Sequence, residues 1–123
     1  MTEREQSSAT PELRVEHGMI GEVAVVTLYG EIDGDTAPRL AQAVREGIAR
    51  TRADFCVIDL TDVDFLGGAG LKTLAATAEA AEHRKHPLRI VVDENRPVIR
   101  PLEITGLEKF LALYHTVDEA LRA

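Results

Sequence analysis

Phe55-Cys-Val-Ile-Asp-Leu60, followed shortly by Phe65-Leu-Gly-Gly-Ala-Gly-Leu-Lys-Thr73, decides how this chain folds. The first run is almost unbroken in its apolar character, the pattern of a central strand covered on both faces. The second sets three glycines ahead of Leu71, Leu74, Ala75 and Ala78, which recur at helical spacing. Together they read as a strand ending at Leu60, a loop carrying Asp62, Asp64 and Phe65, and a helix. That helix starts near Gly68 and stops by His86-Pro87.

Working back from the strand, Gly30-Glu-Ile-Asp-Gly-Asp-Thr-Ala-Pro38 has the makings of a helix start. Asp35 or Thr36 accepts hydrogen bonds from the first free amides, and Pro38 sits where its missing N–H is harmless. Ala37, Leu40, Ala41, Val44 and Ile48 then form one apolar stripe. Further back, Leu13 to His17 alternates as a short strand, Gly18 marks a turn, and Glu22 to Tyr29 is rich in β-branched residues, so the pair predicts a hairpin. Residues 1–11 are polar and without apolar period, a frayed tail ahead of one domain over 12–123.

Working forward, Leu88 to Val92 is a further strand. Asn95 caps a short helix through Ile104, stopped by Gly106 and shortened or kinked by Pro101. Phe110 to Leu113 reads as a last strand and Val117 to Leu121 as a terminal helix. Two leading strands followed by helix–strand alternation give an α/β fold, a small mixed β-sheet with helices packed against it.

The chain has 123 residues, enough for one core and no second one of useful size. Aromatics are 4% and Trp is absent, so Leu, Val, Ile and Ala must fill that core. A formal net charge of -7 disfavours nucleic acid and anionic membrane surfaces. No apolar run is long enough for a membrane span and the first residues lack a signal-peptide core, so a cytoplasmic location is the expectation. Cys56 is the single cysteine, which leaves no internal disulfide, and within a strand it reads as a small buried hydrophobe. His17, His83, His86 and His115 lack metal-ligand spacing and read as surface residues; neither metal nor cofactor is expected.

The glycine-rich stretch invites a nucleotide-loop reading and fails it. A phosphate cradle of that kind needs glycine directly before the lysine, whereas Leu71 separates Gly70 from Lys72 and belongs to the buried stripe. Two uses remain. The glycines leave a helix N-terminus almost bare of side chains, with free amides and partial positive charge open to another protein. Alternatively they only permit a tight strand-to-helix turn within the fold. Of Phe65 and Leu66, one packs inward and the other meets a partner; the sequence does not say which. Asp59 interrupts a buried strand and must find hydrogen-bond donors. Asp62 or Asp64 could join it in catalysis, but no histidine or metal motif accompanies them.

Four segments in register resemble bacterial anti-sigma-factor antagonists of the STAS domain superfamily. They are Gly30-Glu-Ile-Asp-Gly-Asp-Thr-Ala37, Val57 to Leu60 with Val63 to Leu66, Gly70-Leu71, and Thr105-Gly-Leu107. The resemblance implies a STAS-like single domain that binds an anti-sigma factor protein kinase and so frees a sigma factor. In that family the kinase phosphorylates the second serine of Asp-Ser-Ser-Gly, and the added charge ends binding. Here Gly67 stands in place of that aspartate, Gly68 in place of the first serine and Ala69 in place of the acceptor. The implied phospho-acceptor is therefore absent, and Thr73, a turn further on, is a poor substitute.

The partner-binding set implied is Asp33, Thr36, Leu66, Gly67, Gly68, Ala69 and Gly70, with Asp33 either facing the partner or only closing its turn. A protein-interaction module without catalysis, monomer or weak dimer, is the leading expectation. A STAS scaffold or small-ligand sensor in a signalling assembly is the second, and an enzyme using the acidic loop the third.

Overall fold

The computed structural model describes residues 7–9 and 12–123. Its described strands form a six-stranded mixed sheet in sequence order: β1 (Ser7–Ala9), β2 (Leu13–Ile20), β3 (Val23–Ile32), β4 (Cys56–Leu66), β5 (Leu88–Val91) and β6 (Ala112–Tyr114). The first three run antiparallel and β3 to β6 run parallel. The parallel crossovers are α1 (Ala37–Arg50), α2 (Gly68–His83) and α3 (Arg96–Thr105), and α4 (Val117–Arg122) closes the chain. Crossovers that step in one direction with one hand place their helices on one face. Accordingly Leu40 and Val44 of α1, Leu71 and Leu74 of α2, and Val98 and Leu102 of α3 share one core with Leu28, Ile58 and Ile90 of the sheet. On the opposite face α4 covers a smaller cluster of Val25, Phe55, Val57 and Val91 through Ala120.

Several expectations change. The hairpin reverses at residues 21 and 22, with Ile20 paired to Val23, so Gly18 lies inside β2 opposite Val25 rather than at a turn. Of residues 1–11, read as a tail, Ser7–Ala9 forms a strand against β2 and the rest lie outside the described residues. In α1, Ala43 and Gly47 are buried while Ala41 and Ile48 are half-buried, a small rotation of the predicted stripe. Pro101 does not shorten α3, which reaches Thr105 because fully buried Val98 and Leu102 hold it to the sheet. The last strand begins at Ala112, after a short 3-10 turn over Leu107–Lys109, and Phe110 is exposed.

The largest difference is in β4, which continues through Leu66 where a loop was expected from Thr61. Its pairing with β3 slips twice: Thr27 and Tyr29 face Asp59 and Asp62, and Gly30 and Glu31 face Val63 and Phe65. Each slip inserts an extra residue, a β-bulge, which flips the alternation of faces. β5 pairs with β4 only as far as Asp59, and beyond that point Asn95 reaches β4 carbonyls on either side of the first bulge. Its Nδ2 donates to Leu60 O at 2.9 Å and to Val63 O at 2.7 Å. Asn95 therefore stands at the start of α3 without capping it by its side chain. Asp59 finds its donors locally, accepting from the Thr61 amide and hydroxyl at 2.9 and 2.7 Å.

His17 is not a surface residue either. It continues the inward face of Leu13 and Val15, and its side chain is 7% exposed beneath α1. Nε2–H donates to Glu46 Oε1 at 2.9 Å, while buried Nδ1 has no hydrogen-bond partner. Burial, then the Arg50 guanidinium, push its pKa below the ordinary 6.5 against the opposing pull of Glu46. A histidine held low in the native state takes up its proton more readily once unfolded. Its contribution is thus intact above pH 6.5 and is lost as pH falls below that value. Chemical unfolding should show stability declining from about pH 7 to pH 5 in the wild type, and a flatter profile in His17→Leu.

Candidate functional site

The two segments singled out by sequence meet at the carboxyl end of the parallel strands. β3 and β4 finish side by side with Ile32 opposite Leu66, and the Gly67 amide donates to Ile32 O at 3.0 Å. That bond carries the chain directly from β4 into α2, beside the loop that leads from β3 into α1.

The β3–α1 loop is closed by its own polar groups. Asp33 Oδ1 accepts from the Asp35 amide at 2.9 Å, the Thr36 amide at 3.1 Å and the Thr36 hydroxyl at 3.2 Å. Led by the Thr36 amide, these donors hold the Asp33 carboxyl below its ordinary 3.8 against a smaller desolvation effect. Thr36 Oγ1 in turn accepts from the Asp33 amide and reaches Glu31 O at 2.8 Å. Neither Asp35 nor Thr36 caps α1 by its side chain, because Thr36 is already engaged backwards in the loop. Turn closure by Asp33, one of its two expected roles, is what the hydrogen bonds describe.

At the start of α2, burial sorts the expected binding residues. Gly68 and Ala69 are exposed, and Asp33 and Gly67 half-buried. Thr36 and Leu66 are each 3% exposed, and Gly70 is buried. Those three cannot present a side chain to a partner; they support the site from beneath. Gly70 is needed for close approach, since a Cβ there would lie 2.8 Å from Ile32 Cγ2, Ile32 O and Leu66 Cδ1. The choice between Phe65 and Leu66 is settled by the second bulge. Leu66 turns into the core and Phe65 turns out, 49% exposed, with its ring over Gly67. The expected site set omitted Phe65, and the double-apolar Phe65-Leu66 pair was the signal for it.

The helix has no side-chain cap, with Gly67 at its N-cap. Before Leu71 the first turn of α2 therefore carries no side chain larger than the Ala69 methyl, at the positive end of the helix dipole, with the Phe65 ring lying beside it over Gly67. Leu71 is in the core and Lys72 is exposed, the arrangement that separates this turn from a phosphate cradle. Among the described residues no group of His, Cys, Asp and Glu could hold a metal ion, and no helix is long and apolar enough to cross a membrane.

Cys56 lies apart from this site. It is fully buried, its thiol reaches Ala24 O at 3.5 Å, and burial pushes its pKa up to about 12. Since the thiolate is the reactive form, the native protein should resist a thiol reagent at about pH 8 and react only when unfolded. Absorbance of the released chromophore checks this.

The chain matches the STAS domain family over residues 11–120. It is 41% identical to the anti-sigma-F factor antagonist RsfB of Mycobacterium tuberculosis over 100 residues, 80% of this chain and 79% of that one. It is 28% identical to the anti-sigma F factor antagonist of Paenibacillus polymyxa over 80% of this chain and 84% of that protein. The crystal structure of an anti-sigma factor antagonist from Mycobacterium paratuberculosis superposes with a TM-score of 0.80 at 39% identity, covering 94% of this chain and 96% of that one. With the six-stranded mixed sheet and the bare α2 tip at its carboxyl edge, these likenesses place the chain in the STAS-domain family of anti-sigma factor antagonists.

Proposed function

We propose that this protein binds an anti-sigma factor of the serine-kinase type through the tip of α2 and the adjoining β3–α1 loop, and thereby frees a sigma factor for transcription. The observation that carries this reading is the exposed, uncapped start of α2 at Gly68 and Ala69, open to an approaching protein. RsfB, by its name, antagonises the anti-sigma-F factor, and this chain shares 41% of its residues over the aligned span. The protein has no catalytic role of its own; it acts by occupying its partner.

Docking is not controlled by phosphorylation at this tip. Ala69 offers no hydroxyl, and its small uncharged side chain resembles an unmodified serine more than a phosphorylated one. The binding form is therefore the permanent form. A pairwise binding screen tests the reading, using the anti-sigma factors of the source organism together with the anti-sigma-F factor of M. tuberculosis as a heterologous probe. Failure of the wild type to bind any of them would overturn it.

A kinase assay on the captured partner checks the switch. With ATP, intact-mass spectrometry should find no stoichiometric phosphate on the wild type, and close to one phosphate on Ala69→Ser. Stoichiometric phosphate on the wild type would contradict a missing acceptor.

A further inference from the structure

From the end of β4 an apolar groove of about 440 Å3 runs across to α3, lined by Phe65, Pro97, Pro101 and Ile104 with Arg96 and Arg100. Leu66, from the buried core, lies at its floor. Two of the exposed large hydrophobic side chains belong to it, Phe65 at 49% and Ile104 at 72% exposure. Water-facing apolar groups of this size, gathered beside a candidate docking site, are the composition of an interface rather than of a bare surface.

Its charge sets it apart from the rest of the molecule. The chain carries a net charge of -7, yet no acidic side chain lines this groove. Arg96 pairs with Glu103 at 3.3 Å, outside the lining, whereas Arg100 makes no ion pair among the described residues. Phe65 and Leu66, at the β4 end of the groove, lead directly into the start of α2, whose partial positive charge is therefore nearby. An apolar trough with an unneutralised guanidinium and a helix N-terminus favours an occupant that is apolar and negatively charged at once.

We infer that this groove receives a segment of the anti-sigma factor that presents a large apolar side chain flanked by a carboxylate, the apolar group seating between Phe65 and Ile104 and the carboxylate pairing with Arg100. The inference rests on the functional reading above and extends the docking surface from α2 onto α3, which the sequence motifs did not include. It also gives Pro101 a use: a proline in the middle of α3 adds a rigid apolar ring to the groove wall.

The test is titration calorimetry of the wild type, Arg100→Glu and Ile104→Ser against the anti-sigma factor captured in the screen. Both altered side chains are exposed, so unchanged thermal melting will show that folding is intact. Each variant is expected to bind at least about tenfold more weakly. The affinity of the wild type should also fall more steeply with added salt than that of Arg100→Glu. Affinities within about twofold of the wild type for both variants would overturn the inference while leaving the functional reading standing. If instead the wild type self-associates in sedimentation and both variants disperse it at unchanged partner affinity, the occupant is a second copy of this chain and the inference falls. A wild type that binds no anti-sigma factor overturns both.

Discussion

Ala69→Glu should abolish binding to the anti-sigma factor, weakening it by about 100-fold or more, while leaving the fold at least as stable as before. Ala69 is exposed in the first turn of α2, where a longer side chain can extend into solvent. A carboxylate there meets the positive end of the helix dipole, which stabilises an exposed helix by about 0.3–1 kcal/mol. The same carboxylate would confront the partner on the surface that must lose its water on docking, and an unpaired charge desolvated in an interface costs several kcal/mol, on the order of 2–5. The opposite signs of the two effects are the diagnostic. Calorimetric binding and a thermal melt on the same sample separate them. Equal affinity for variant and wild type would remove the α2 tip from the interface.

The largest expected loss of stability is from Gly30→Ala, by about 3 kcal/mol or more, a substantial part of the roughly 5–15 kcal/mol typical of a folded domain. Gly30 has φ of 110°, a conformation that side chains rarely adopt. An added Cβ would also lie 2.2 Å from Glu12 O. That oxygen cannot simply move, because it accepts from the Glu31 amide at 2.7 Å where β2 begins. Backbone strain of about 1–3 kcal/mol and a broken strand start therefore act together. Gly68→Ala is the matching control. Its Cβ would meet nothing within 4 Å, and alanine is the better helix former, so urea unfolding should show no loss and a gain of up to about 1 kcal/mol. If both variants unfold at the wild-type urea midpoint, the close approach of Gly30 to Glu12 is not a constraint on this fold.

The order of elements was legible because each depends on a local period. Leu40 and Val44, or Leu71 and Leu74, announce a helix wherever they are placed, and Val23 to Leu28 announces a strand. The end of β4 was not legible. Cys56, Ile58 and Leu60 alternate, but Val63 and Leu66 continue the same buried face at a spacing of three. Only bulges reconcile that spacing with a strand, and the groups that stabilise the first bulge include Asn95, which comes from the far side of α2 and β5. The roles of Asn95 and Thr36 were misread for the same reason. Each has the chemistry of a cap, and each found acceptors elsewhere that the local sequence does not display.

At the candidate site the division is similar. That a bare glycine–alanine helix start follows a central strand, and that residue 69 has no hydroxyl, are properties of covalent structure, so the sequence alone determined them. Which of these residues are exposed was decided by the tertiary structure. A register slip of one residue turns a side chain to the other face of a sheet, and this put Leu66 into the core and Phe65 into solvent. The groove beside Phe65 likewise needs α3 laid against the end of β4, a contact between segments distant in the chain that no local pattern records.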